Sequence, residues 1–405
     1  MGGQAFNAQY PEAKFPRMSH AIYAAMKDRL RLIVETLYEK VVVPHEAPEK
    51  VDHGDVDFLV RGPRPGLTHE DVKEGLGARY SVPAHPTSHY AVPTDIFGDG
   101  QSECFIQVDV HVCKDEEDLY RVHFLHSYGD LGIILGHLAA SVGLSFGQSG
   151  LKLANPVPIN PPNMPFYLSS SIPHILEFFE ISLRRWEQGF STTAEAFDWV
   201  SSSSYFIPTR LARPDVLQGS QKRAKASRTM FQDFLDYTAT RALSMQRQAI
   251  ESRDVAIERA LRHFDKWDLY QTILHTCEAK QRIKQIFTGK LVMEWTGVQG
   301  TPVRWIMEEV QRKLEAQPLP LAQEIDASTP LCHSVKGSEL VDPSFLTLAP
   351  WQILMKDLTV EQVKDLVVEV KEGLQRDGKL QFDWQEAKKR KAERKALLES
   401  QPQPL

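Results

Sequence analysis

The residues best suited to chemistry are three aspartates on two apolar runs. In His53-Gly54-Asp55-Val56-Asp57-Phe58-Leu59-Val60 two carboxylates stand two apart at the head of a strand pattern. Side chains alternate faces along a strand, so Asp55 and Asp57 project to the same side. The run Phe105-Ile106-Gln107-Val108-Asp109-Val110-His111-Val112 alternates in the same way and puts Asp109 on its polar face. Carboxylates gathered at one point repel one another, which makes a hard cation their natural occupant. Three acids from adjacent strands are also a donor set that holds two magnesium ions around a nucleoside triphosphate. The same spacing has a purely structural alternative: a solvated turn at Asp55, a polar strand edge at Asp57 and the outer face of a hairpin at Asp109.

Those acids need a scaffold, and the flanking sequence supplies one. Ile22, Met26, Leu30, Ile33 and Leu37 recur at helical spacing, so a helix is expected from about Ser19, as cap, to Glu39. Short strands are expected at 41–43 and 56–60. Residues 62–100, rich in Pro, Gly, His and Ser, give only a short helix near 69–75. Strands are predicted at 104–113 and 120–127, with the charged run Lys114-Asp115-Glu116-Glu117-Asp118 as their hairpin connection. A helix follows over 130–142, stopped by Gly143. Beyond residue 155 the pattern turns helical, with segments near 173–188, 192–203, 222–246, 248–265, 267–287 and 302–316. Five prolines interrupt 317–350. Charged helices are expected at 358–375 and 384–399. The expected organisation is α+β: an N-terminal mixed sheet with helices over 1–155, a helical domain over 156–320, and a Pro-interrupted linker with charged helices over 321–405.

Bulk properties narrow the function classes. The 405 residues carry 47 basic and 53 acidic side chains, a net charge of -6, which excludes a polybasic nucleic-acid binder. No apolar run reaches the roughly 18 residues of a membrane span, and the first fifteen residues lack the apolar core of a secretory signal. A cytoplasmic or nuclear protein without a membrane partner is therefore expected. Cys104, Cys113, Cys277 and Cys332 form no CxxC pair, so they read as free thiols. Gly2 fits a myristoylation start, but Phe6 stands where Ser or Thr is wanted.

Taken together, Gly2-Gly3, Gly54-Asp55-Val56-Asp57 and Val108-Asp109-Val110 resemble the signature of the DNA polymerase beta-like nucleotidyltransferase superfamily. In that superfamily a Gly pair opens a helix, an acid-x-acid strand follows, and a third acid stands on a later strand. About fifty residues separate the two glycines from the acids here, which departs from the family spacing. The resemblance implies a nucleotidyltransferase-type sheet in which Asp55 and Asp57 ligate two metal ions, Mg2+ or in its place Mn2+. Asp109 would complete the catalytic ion's shell and help deprotonate an acceptor hydroxyl. Gly2, Gly3 and Gly54 would approach the triphosphate through the backbone. The segment from Phe287 to Pro302 is similar to one in the helical body of tRNA nucleotidyltransferases and poly(A) polymerases, which puts RNA among the acceptors to consider.

Other residues are read on their own. The Gly-rich turn Ser127-Tyr128-Gly129-Asp130 opens a helix beside the Asp109 strand, with Tyr128 and Gly129 placed for nucleotide contact; Gly132 and Gly136 serve equally for close packing. Lys50, Arg61 and Arg79 are candidates for pyrophosphate contact. Arg210, Arg213, Lys222, Arg223, Lys225 and Arg228, ahead of Phe231, Phe234 and Tyr237, suit either a polynucleotide groove or a solvated helix end with its aromatics in the core. The run Lys388 to Lys395 suits a nuclear-localisation patch or a solvated helix. His53, His111, His123 and His126 raise zinc as a rival, although three aspartates favour a harder ion. The expected activity is transfer of a nucleoside monophosphate from a triphosphate, ATP-binding among the options, to an acceptor hydroxyl. A catalytically silent nucleotide- or RNA-binding relative and a helical protein-interaction module are the alternatives.

Overall fold

The computed structural model describes residues 5–94, 104–155, 165–211, 228–244, 252–318 and 347–380. Two compact units divide the chain: Met1–Pro156 with Met164–Trp267, and Val157–Asn163 with Asp268–Leu405.

In the first unit a two-residue strand, β1 (Met18–Ser19), leads into helix α1 (His20–Leu37), where the Ser19 hydroxyl accepts the Ile22 N–H as an N-cap. Tyr23, Met26, Leu30 and Val34, at three- and four-residue spacing, are its buried face; Ile22, Ile33 and Leu37 flank it half-buried. The sheet beneath is built from β2 (Tyr38–Val42), β4 (Asp55–Pro63), β5 (Tyr80–Val82), β6 (Thr87–Thr94) and β7 (Cys104–Val112), in the order β2-β4-β7-β6-β5. Only β4 and β7 run parallel; the other neighbours are antiparallel. The two-residue strand β3 (Asp52–His53) pairs with β1 instead.

Alternation divides this sheet into two unlike faces. Val56, Phe58 and Val60 of β4, Ile106, Val108 and Val110 of β7, and Tyr90 and Val92 of β6 pack in one core with α1 and with Val72 and Leu76 of α2 (His69–Leu76). On the other face Leu59 packs with Cys113 and with Leu119 and Val122 of α3 (Glu116–His126). Asp55 and Asp57 share that second face, upstream of Leu59.

Two expectations fail here for local reasons. Residues 120–127 are not a strand: Asp115 caps α3 by accepting the Asp118 N–H, and Glu116, Glu117 and Asp118 fill its first turn, where acids complement the helix dipole. The charged run is thus a helix start, and no hairpin forms. The irregular stretch 62–100 contains β5 and β6, and β6 is an interior strand of the sheet.

Past α3 come α4 (Leu131–Ser141) and a three-stranded antiparallel sheet of β8 (Leu144–Gly147), β9 (Gly150–Leu153) and β10 (Tyr167–Ser169). Because β10 pairs with β9, the chain is stitched together across residue 155, and the compact division comes at Trp267. Helices α5 (Ile172–Phe178), α6 (Leu183–Glu187), α7 (Thr193–Ser201), α8 (Pro208–Leu211), α9 (Thr229–Ser244) and α10 (Arg253–His263) complete the unit.

Helix α11 (Trp267–Ile286) opens the second unit, followed by α12 (Gly289–Thr296), α13 (Thr301–Glu315), α14 (Pro350–Met355) and α15 (Val360–Arg376). Val292, Ile306, Val310, Met355, Val363 and Val367 are fully or nearly fully buried in its core. Gly297 and Gly300 stand at φ 69° and 73° on either side of the α12–α13 turn, a conformation in which a Cβ is strained. A mixed sheet with helices followed by a mainly helical region is therefore the fold. Among the described residues no helix is long and apolar enough to cross a membrane.

Candidate functional site

Strand register assembles the site. In the parallel β4–β7 pair Asp57 stands opposite Asp109 and Asp55 opposite Gln107; in the antiparallel β6–β7 pair Asp109 stands opposite His89. Asp57, Asp109 and His89 therefore form one row across three adjacent strands, with Asp55 two residues upstream on the same face.

The acids are strongly perturbed. Burial, then repulsion from Asp55 and from Asp109, pushes the Asp57 carboxyl well above the ordinary carboxylate range. Asp55 is raised as well, by burial first and Asp109 second. Lys50 opposes both shifts through its positive charge. Asp109 is held differently: His89 Nδ1 lies 2.8 Å from its Oδ1, and the buried Gln107 amide donates to Oδ1 at 2.9 Å and Oδ2 at 3.1 Å. The Asp109 hydrogen bond raises the His89 imidazole above its usual value despite partial burial.

A second polar group abuts the acids from α1 and the loop after β2. Glu46 accepts from the Tyr23 hydroxyl and, at 2.8 Å, from Lys50 Nζ. Those hydrogen bonds hold its carboxyl below the usual range although burial opposes them. Tyr23 is raised, by burial first and then by Glu46, with smaller contributions from Asp57 and Asp55. His53, fully buried, stacks on Tyr23 with ring centroids 3.8 Å apart and approaches Glu46 to 3.2 Å without hydrogen-bond alignment. It thus belongs to the Tyr23 side and stands apart from the acid row.

The remaining sequence-predicted residues are dispersed. Gly2 and Gly3 lie outside the described residues; Gly54 is buried at the head of β4. Tyr128 is buried, stacked on His45 and donating its hydroxyl to the Trp186 carbonyl at 3.1 Å, so its ring does not lie open for a base. A Cβ on Gly129 would come within 2.8 Å of Ala47, and one on Gly132 within 2.2 Å of the Leu125 carbonyl oxygen, so both glycines answer to close packing. Arg61 pairs with Glu116, four residues along β4 from Asp57 and so about 13 Å away along the strand. Arg79 stands just ahead of β5, its N–H bonded to the Ala91 carbonyl.

The aromatic and basic candidates divide in the same way. His111 bonds Thr87 at 2.7 Å, while His123 sits among His45 and Trp186. Phe231 and Phe234 are fully buried, Tyr237 bonds Asp198, and Arg228 is paired with Asp130, so the groove reading loses its aromatics to the core. Arg210 ends in α8; Arg213, Lys222, Arg223, Lys225 and the run 388–395 lie outside the described residues. Cys104, Cys113 and Cys277 are free thiols, and Cys332 lies outside the described residues. The residues that sequence reading missed are His89, Gln107 and Glu46. The alternation in Ser88-His89-Tyr90-Ala91-Val92 was the available signal for the first.

The acid row fits a hard divalent ion by its chemistry. Three oxygen donors share one sheet face, and burial with mutual repulsion lifts two of them, a tension that a cation relieves. Asp109 is turned toward His89 and Gln107, and the described group whose ligand atoms all lie within 4.8 Å of one another is a different one, His174, Glu177 and His263.

No protein-family model matches the chain, and no curated protein matches it. Among solved structures the chain is similar to one described as the crystal structure of Leishmania infantum polymerase beta, ternary P/T complex, at 13% identity and a TM-score of 0.26. The similarity covers 34% of this chain and 58% of that one, so the chain spans little more than half of that polymerase. A likeness at this level carries no conclusion about activity.

Proposed function

We propose that this chain is a divalent-metal-dependent nucleotidyltransferase whose site is the row of Asp55, Asp57 and Asp109. The observation that carries the reading is the register that sets Asp57 against Asp109 with Asp55 on the same face, two of the three raised by burial first and then by neighbouring carboxylate charge. Asp55 and Asp57 would hold Mg2+ or Mn2+ jointly, and Asp109 would complete the set. When bound, the ions would supply neutralisation of the triphosphate charge and a lowered acceptor hydroxyl pKa.

The protein groups have separate tasks. Asp109 accepts the acceptor hydroxyl's proton, and His89, hydrogen-bonded to it, steers the carboxylate and offers that proton a way out. The acceptor oxygen forms the new bond to the α-phosphorus as the bond to pyrophosphate breaks. Lys50, whose charge is felt at both Asp55 and Asp57, is the cation placed to attract the triphosphate. The nucleoside triphosphate is the substrate class, and RNA is one acceptor to test.

The test is incubation of the purified chain with each α-labelled nucleoside triphosphate, Mg2+ or Mn2+, and RNA and protein acceptor pools, alongside D55A/D57A. Label transfer lost in the double variant is the expected result. Metal-dependent nucleotide binding without transfer, again lost in the variant, would replace the enzyme with a binding-only relative. Absence of both transfer and metal-dependent binding would refute the site.

A further inference from the structure

A second cluster of metal-ligating side chains lies in the same unit, on other elements. His174 and Glu177 stand at i and i+3 of α5, so they project from one face of the helix. His263 is the last residue of α10. One ligand atom from each of the three lies within 4.8 Å of the other two. Four ligands at about 2.0–2.1 Å from a tetrahedral zinc sit roughly 3.3 Å apart, so side-chain rotation of an ångström or so would close the set.

The surroundings favour a cation at that point. His263 Nε2 is buried with no hydrogen-bond partner, a condition that protein interiors rarely leave unexplained. The His174 and His263 rings have centroids 4.9 Å apart at 41°, tilted so that neither lies flat on the other. Phe264 meets both imidazoles edge-on, at 4.8 Å from each, and Phe178 lies against His263, which makes one wall apolar. Glu177 is exposed and opens the opposite side to solvent. The C-terminal carbonyls of α10 add partial negative charge beside His263.

We infer that His174, Glu177 and His263 form a zinc site with three protein ligands and one position open to water. Two imidazoles and one carboxylate suit zinc, whereas the all-oxygen row of aspartates suits magnesium. Zinc here would clasp α5 to the end of α10. The site does not depend on the nucleotidyl-transfer reading.

The test uses the tag-free full chain carrying D55N/D57N, stripped with chelator and titrated with cobalt(II) as the spectroscopic substitute for zinc. The expected result is saturation at one cobalt per chain with the visible bands of a four-coordinate ion, displaced by zinc. E177Q, at an exposed position that leaves the fold intact, should weaken binding by about tenfold or more, and H174A or H263A should abolish the bands. Absence of four-coordinate bands in the parent chain would overturn the inference, as would bands that persist undiminished in E177Q and H174A.

Discussion

Replacing Asp57 by Asn should stabilise the metal-free protein, the opposite of what removing a native buried hydrogen-bonding group normally does. Asp57 and Asp109 face each other on neighbouring strands, which lie about 4.8 Å apart. Two like charges about 5 Å apart at an effective dielectric of about 20 repel by about 3 kcal/mol, and Asp55, slightly farther away, adds a comparable amount. Lys50 offsets part of this and solvent screening a further part, so a net gain of about 1–3 kcal/mol is expected for the Asn variant. In a unit of this size that corresponds to a Tm increase of roughly 2–6 °C.

The pH dependence follows from the same shift. A carboxyl raised in the folded state keeps a proton that the unfolded chain has released, so stability falls as pH rises from about 4 through the folded value. Thermal unfolding in chelator at pH 5 and pH 7.5 should show this loss in the native chain, and D57N should reduce it, leaving the smaller share from Asp55. Saturating Mg2+, at about a hundredfold over its Kd, should restore about 2.7 kcal/mol to the native chain and little to D57N. A metal-free D57N that melts at or below the native chain, or an equal Mg2+ response in both, would refute the reading of the acids as an ion site.

Two further outcomes test the surroundings. Burial lowers the His123 imidazole to about 4, with His45 adding to the effect, so between pH 6.5 and 4 the unfolded chain takes up a proton that the folded chain refuses. Stability should fall with acidification across that window by about 2 kcal/mol, the full shift being discounted because the ring is only partly buried, and H123Q should flatten the slope in urea unfolding. Gly132→Ala in α4 should destabilise by about 1–3 kcal/mol because a Cβ would meet the Leu125 carbonyl, while Gly373→Ala in α15, with nothing within 4 Å, should stabilise by about 0.5–1 kcal/mol. Equal signs in thermal unfolding of these two variants would show that the close approach of α3 and α4 is not what fixes glycine at 132.

Alternation made the acid row legible. A strict period of two over 55–60 and 105–112 is enough to put Asp55, Asp57 and Asp109 on polar faces, and the helical spacing of Met26, Leu30 and their neighbours located α1. The partner of Asp109 was not legible in the same way. His89 lies on a strand of eight residues embedded in a Pro- and Gly-rich stretch, and its position depends on pairing with β7, a contact about twenty residues distant. The misread hairpin has a comparable cause: Asp115-Glu116-Glu117-Asp118 is equally a polar turn and an acidic helix start. The Asp115 cap, which decides between them, is a matter of backbone geometry. Tyr128 illustrates the limit for side chains, since a Gly-flanked aromatic at a turn gave no sign that Trp186, 58 residues on, would take its hydroxyl.

The distribution of donors across the row bears on what the row is for. If the acids only had to be tolerated, the cheapest arrangement would direct hydrogen bonds to the carboxylate under greatest strain, because an unpaired buried charge is more costly than a paired one. The opposite is found: His89 and the buried Gln107 both serve Asp109, while among the described residues no side-chain donor reaches Asp57, whose carboxyl is the one pushed furthest up. Asp109 is thereby fixed in direction, whereas Asp55 and Asp57 share its sheet face without such donors among the described residues. A fixed carboxylate beside two others without side-chain donors is an arrangement that a cation would complete, and it accords with the proposal that Asp109 takes the proton while Asp55 and Asp57 hold most of the ion. The same asymmetry predicts that H89A should lower transfer more than it lowers Mg2+ affinity, because it frees the base while leaving Asp55 and Asp57 in place. Parallel measurement of transfer rate and Mg2+-induced Tm shift checks this, and equal losses in both would return His89 to a purely structural role.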